Sequence, residues 1–304
     1  VSQFGGDVAF LDLGDISFDQ DPAAISAIRA SSFGVMDGTI TVLAGGDLFL
    51  GDPDSTFSIN LNFENNAAFT AAQSVEVYAP IIGANDLSIF ADVTNNQFGV
   101  VTLDVDGLNV LGQLQVSGDE LYLLGSSITS GGTQEYWGDA FLASDQVLTG
   151  SKITFNDRID SWAGRGLGEF EAASLTINGD ALFRDTIGGG SPLRWIDVSG
   201  MTEMDGGVIR TLEHQNYRGE VALLDNAYLI SEDGGDIHFF DAINGAKNLR
   251  IDTSGATLFD ATVGGETALN ELRTNAGGET RLDGDLNAQV IIIGDKLVLL
   301  RDAV

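Results

Sequence analysis

Cysteine is absent from the 304 residues. That removes disulfides, thiol nucleophiles and cysteine-ligated zinc together. Proline is scarce, at 4, and lysine occurs only at Lys152, Lys247 and Lys296. No apolar run comes near the roughly 18 residues of a membrane helix. The most apolar stretch, Val290-Ile291-Ile292-Ile293, stops at Gly294, so no membrane insertion is expected. The chain starts at Val1 without a signal pattern, which reads as a processed protein or an excised fragment. Basic residues are few: 14 against 45 acidic ones, a net charge of −31, and Arg29 is the only one before Lys152. Such a surface repels phosphate backbones, so no nucleic-acid partner is expected. The excess acid reads as a solvated, aggregation-resistant surface.

What the sequence does have is glycine, 39 of them, spread along the whole chain beside Asp and Asn. Asp106-Gly107, Asn178-Gly179-Asp180, Asp205-Gly206-Gly207, Gly234-Gly235-Asp236 and Asp283-Gly284-Asp285 read as turns, because these residue types tolerate positive φ. Between the turns lie short runs that alternate apolar and polar. Val101, Leu103 and Val105 alternate with Thr102 and Asp104, and Leu114 with Val116, Leu121 with Leu123 and Leu175 with Ile177 repeat the pattern. Alternation over four to six residues predicts half-buried strands. Helical spacing is confined to Asp21–Arg29, where one short helix is expected at most.

Internal repetition then separates a solenoid from a sandwich, barrel or propeller. Gln134 and Tyr136 match Gln215 and Tyr217 at an offset of 81. Leu175 and Ile177 match Leu249 and Ile251 at 74; Leu182-Phe183, Ile187-Gly188-Gly189, Leu193 and Ile196 match Leu258-Phe259, Val263-Gly264-Gly265, Leu269 and Leu272 at 76. Asp205-Gly206 matches Asp283-Gly284 at 78. The spacing predicts repeats of about 76 residues over 129–210 and 211–284, with a partial copy over 285–304. Each copy spans several rungs of roughly 20 residues, and the chain as a whole roughly 15 rungs. Residues 121–304 form the repeat region, and residues 1–120 a β-rich region that caps it or continues it irregularly.

The run Gly131 to Leu148, with Thr154, Phe155, Ile159 and Ser174 to Asn178, and a weaker copy at Gln215 to Leu229, resembles the repeats of large bacterial exoproteins. These are the filamentous-haemagglutinin-like and autotransporter-adhesin-like proteins. The resemblance implies a right-handed parallel β-helix, an extracellular or cell-surface location in bacteria, and work as a stalk or adhesive surface. Neither an Asn-Pro-Asn-Leu secretion turn nor an anchoring barrel is visible in the sequence.

The same fold also carries polysaccharide-cleaving enzymes, which need facing carboxylates beside basic groups. Their Asn-Thr-Asp, Gly-His-Gly and Arg-Ile-Lys motifs are missing, and Arg158-Ile159-Asp160 is the nearest approach. His214 is expected in a turn and His238 on a strand, with no spacing that suggests a metal site or triad. Asp104-Val105-Asp106-Gly107 opens like a calcium loop but lacks the later ligands. Gly188-Gly189-Gly190-Ser191-Pro192 lacks the lysine of a phosphate loop. Trp137, Trp162 and Trp195 would stack on sugars if exposed, and are otherwise core residues. The sequence therefore carries no assigned catalytic, cofactor or metal residue, and only weak surface binding of Ca²⁺ is expected. Its expected role is a non-catalytic structural or adhesive β-solenoid segment. A self-assembling filament or surface-layer subunit is the first alternative, and a polysaccharide-active enzyme the second. Expected partners are copies of itself or neighbouring repeats end to end, and host or extracellular-matrix glycans.

Overall fold

A computed structural model describes residues 99–162 and 171–300 throughout. Before them it describes residues 4–5, 8–12, 16–18, 35–37, 40–44, 47–50, 61–62, 66–71, 73–78 and 80–91. Every regular element among the described residues is a β-strand. The helix expected at Asp21–Arg29 lies outside them. The strands run parallel and stack as a β-solenoid of about 11 turns. Roughly 15 were expected, and the difference lies in longer turns. Ser74 N reaches Asp47 Oδ1, and Gln113 N reaches Asp86 Oδ1, across 27 residues each. Gly99 N reaches Asp119 Oδ2 across the expected 20. The chain divides into two compact units, Val1–Ser151 and Lys152–Val304.

In the first unit three columns of parallel strands form three faces. The first holds Val8–Asp12, Ile40–Ala44, Ala67–Ala71, Leu87–Ala91 and the leading halves of Leu114–Leu123 and Thr133–Leu142. The second holds Ile16–Phe18, Leu48–Leu50, Ser74–Val77, Val100–Leu103 and the trailing halves of the same two long strands. Leu61–Asn62, Ile81–Ile82, Leu108–Val110, Ser127–Ser130 and residues 147–149 make the third. Ala67, Phe69 and Ala71 are buried while Ala68 and Thr70 between them are not, the period-two alternation that sends every second side chain inward.

The second unit repeats this plan. Its first face stacks residues 175–177, Ile196–Val198, Gln215–Tyr217, Ile237–Phe239, Ala256–Phe259, Glu279–Leu282 and Lys296–Leu299. Its second stacks residues 181–183, Thr202–Met204, Val221–Leu223 and Ile243–Asn244, then single bridges at Val263 and Leu286. Its third runs from bridges at Ile159 and Ile187 through Val208–Thr211, Ala227–Ser231, Asn248–Thr253 and Leu269–Thr274 to Ala288–Ile293. Parallel register places like residues one above another inside. Tyr217, Phe239 and Phe259 stack with ring centroids 5.3 and 5.2 Å apart, near the strand spacing of about 4.8 Å.

The Gln-x-Tyr match is a real structural equivalence. Gln215 is fully buried, and its Nε2 donates to the Ile209 and Ile230 carbonyls at 3.2 and 2.9 Å. Its Oε1 accepts from Tyr217 Oη at 3.0 Å. Gln134 makes the same bonds to Ile128 and Thr149, at 3.3 and 2.9 Å, and accepts from Tyr136 at 2.8 Å. Each glutamine ties off carbonyls that would otherwise be buried at a corner.

The matches near 76 residues are equivalent loops on different faces. Gly188 N donates to Ile159 O at 2.7 Å, and Gly264 N to Ile243 O at 2.6 Å. Asp160 Oδ1 accepts from Gly190 N and Ser191 N, as Asn244 Oδ1 does from Glu266 N and Thr267 N. Both leading glycines have positive φ, +70° and +75°, and a Cβ on either would fall on the carbonyl oxygen of Arg210 or Asn287. Yet Ile187 belongs to the third face and Val263 to the second. Three complete turns and two further faces separate them, so the second copy sits rotated by one face.

Burial pushes the hydroxyls of Tyr136 and Tyr217 far above the ordinary tyrosine range. The unfolded chain loses these protons near pH 10 and the folded chain does not, so their contribution to stability is complete below about pH 10 and lost as pH climbs above it. In an absorbance titration at 295 nm, ionisation of these two tyrosines should coincide with loss of the β-sheet circular dichroism. Ionisation of all five tyrosines near pH 10 with the sheet signal intact would contradict their burial.

Candidate functional site: a histidine groove on one face

The outward side chains of the second unit's first face follow the same register as its core. Asp197, Asn216, His238, Leu258 and Arg281 form one outward column. Two positions earlier, just before the strands Ile196–Val198, Gln215–Tyr217 and Ile237–Phe239, lie Trp195, His214 and Asp236. His214 sits in the connection before Gln215–Tyr217 and His238 within Ile237–Phe239, the placements expected from sequence. The fold brings the chain's two histidines to one shallow groove of about 520 Å³. Glu213, His214, Asn216, Gly234, Gly235, Asp236, His238 and Leu258 line it.

Gly235 helps to open this groove. A Cβ there would collide with the backbone of Glu213 and His214 in the turn beneath, so close stacking of the two turns requires glycine.

The groove's polar groups are held in place by neighbouring turns. His238 Nε2 and Asp260 Oδ2 lie 2.8 Å apart. Asp236 Oδ1 accepts from Ala256 N at 2.7 Å. Asn216 Nδ2 donates to Asp197 Oδ2 at 3.3 Å, and Arg218 grips both oxygens of Asp197 at 2.8 and 2.6 Å. That two-point contact raises the Arg218 pKa further. Flat rings flank the groove. Trp195 and His214 stack with centroids 5.3 Å apart and planes 12° from parallel, and His238 and Phe240 with centroids 3.6 Å apart.

Other residues singled out in the sequence take structural positions. Asp106 Oδ1 accepts from Ser126 N and Oγ at 2.7 Å each, which lowers its pKa, and Gly107 completes that turn with φ +77°. No group of three or more His, Cys, Asp or Glu side chains placed to hold a metal ion occurs among the described residues. Asp160 secures the loop of Gly188-Gly189-Gly190-Ser191-Pro192, a corner of the solenoid. Trp137 is exposed in the first unit and Trp195 lies beside the groove in the second. Asn216, Arg218, Phe240, Leu258 and Asp260 were not legible as site residues in the sequence. Their common signal is a spacing of about one turn, which acquires meaning only when the register is known.

Comparison with known proteins finds no family model, no curated protein and no solved structure that matches the chain. The resemblance to exoprotein repeats therefore rests on the residues quoted for it.

Gly235→Ala should lower stability by about 1–3 kcal/mol, the usual cost of forcing extra atoms into a packed site. Gly207→Ala, whose added Cβ meets nothing within 4 Å, should stay within about 0.5 kcal/mol of wild type. Urea denaturation of both variants measures the difference, and equal midpoints would contradict the close stacking at Gly235.

Proposed function

We propose that this chain is a non-catalytic structural and adhesive segment of an extracellular or cell-surface β-solenoid protein of bacterial type. The observation that carries the reading is the division of labour across the strands. Inward positions build a continuous core, and outward positions present one side chain per turn on a backbone fixed by parallel pairing. A stiff scaffold with regularly spaced surface groups suits a stalk or an adhesive face. The groove's ionisable groups support the same view. His238, Asp236 and Asp197 are each occupied by a neighbouring turn, so they hold surface geometry. The net charge of −31 and the absence of cysteine fit a solvated surface protein.

Antibodies raised against the purified chain should label intact cells of the source organism, or its culture medium. Labelling only after the cells are permeabilised would overturn the reading.

A further inference from the structure

We infer that the carboxylate of Asp295 and the hydroxyls of Thr257, Thr274 and Thr280 form a buried site for a small monovalent cation, with sodium the best match in size. The site is separate from the histidine groove and independent of the surface role proposed above.

The site lies at the corner between the third and first faces of the second unit. Thr274 ends the third-face strand Leu269–Thr274, and Thr280 follows on the first-face strand Glu279–Leu282. Asp295 stands one turn further on, in the connection between Ala288–Ile293 and Lys296–Leu299. At the corners beneath, the hydroxyls of Thr211, Ser231 and Thr253 donate to neutral backbone carbonyls. Here the acceptor is a carboxylate.

Three features select a cation. The first is an unmatched charge. Thr280 and Thr274 donate to Asp295 Oδ1 at 2.7 and 3.1 Å, and both threonines are 1% exposed. Asp295 Oδ2 is shut away from solvent with no hydrogen-bond partner. Lys296, next in the chain, pairs with Glu279, and so does Arg281. A carboxylate oxygen buried without a positive partner is costly. The second feature is a set of ligands made only of oxygen. Asp295 Oδ1, Thr280 Oγ1 and Thr274 Oγ1 form a triangle with sides of 2.7, 3.1 and 3.2 Å. Thr257 is the register partner of Thr280 one turn beneath, is fully buried, and has an Oγ1 that also lacks a partner. Oxygen ligands suit hard cations, and an ion the size of Ca²⁺, as Na⁺ is, holds them at about 2.3–2.6 Å, which sets neighbouring oxygens roughly 3 Å apart. The third feature is the charge count. One carboxylate balances one positive charge, whereas a divalent ion would leave an uncompensated charge in the interior. A proton would meet a single oxygen, while a cation meets the carboxylate and the lone pairs of the hydroxyls together. Bound there, the ion would tie three successive turns at one corner.

The test is thermal unfolding of the full chain, followed by circular dichroism, in sodium chloride and in choline chloride at equal ionic strength. Wild type should melt about 2–4 °C higher in sodium, because an ion bound only to the folded state stabilises it. Asp295→Asn, which keeps the shape and removes the charge, should lose this gap. Thr257→Val removes only a hydroxyl that has no partner, so it should fold and should narrow the gap. The variants separate the site from general screening of the net charge of −31. The ²³Na resonance should broaden with wild type and not with Asp295→Asn. Equal melting of wild type in the two salts would overturn the inference, as would a full gap in both folded variants. Stronger stabilisation by Ca²⁺ than by sodium at equal concentration would overturn the charge count. Stability that rises only as pH falls, with no sodium effect, would assign a proton to Asp295 and sink the site.

Discussion

Each turn hydrogen-bonds in parallel to the turn before it, and every other feature of the molecule inherits that register. Side chains on a strand alternate with period two, so a slip of one residue would turn the core outward. Correct register instead carries Leu87, Leu114 and Gln134 up one inward column and Val198, Tyr217, Phe239, Phe259 and Leu282 up another. The aromatic stack is a consequence of strand spacing, since rings one turn apart already lie near contact distance. The outward groove obeys the same rule on the opposite side of the same strands.

Corners are where such a fold is most exposed to failure, because the chain turns there and leaves backbone groups without ladder partners. The second unit meets this with buried polar side chains. Thr211, Ser231 and Thr253 are paired in register at one edge of the third face. Their hydroxyls donate to the carbonyls of Glu213 and Gly235 at 2.7 to 2.8 Å. Gln215 closes the same corner from within, and Gln134 does so for its own unit. A buried group of this kind is costly when unmatched and near neutral when matched, so it discriminates between registers more than it adds stability. Side chains that look out of place in an apolar interior thereby fix where each turn sits.

The same logic places the groove. A groove assembled from three turns would be imprecise on mobile loops, but here its residues stand on or beside strands tied on both sides. Glycine at Gly235 lets two turns approach closely. Which outward side chains meet there depends on the register that aligns them, not on a compact sequence motif.

Local chemistry made much of the architecture legible. Alternation at residues such as Val101 and Leu103 marked strands, Asp106-Gly107 marked a turn, and the Gln134/Gln215 match found two equivalent corners. These signals are short-range: a strand's period and a turn's φ are written within a few residues. Turn length was less legible, since insertions of several residues into a turn leave the flanking alternation unchanged, and the 27-residue turns reduced the rung count. The rotated copy at Val263 was hidden because a matching loop looks the same in sequence whichever face it occupies. The groove was hidden more completely. His214 and His238 were visible only as two isolated residues, and Asp197, Asn216, Leu258 and Asp260 as ordinary surface positions. The sequence alone determined that the chain would fold into short strands with an apolar side, because that depends on neighbours along the chain. Only the tertiary structure decided which turns stack on which, and hence which outward side chains meet, because pairing register is a relation between residues some twenty or more positions apart.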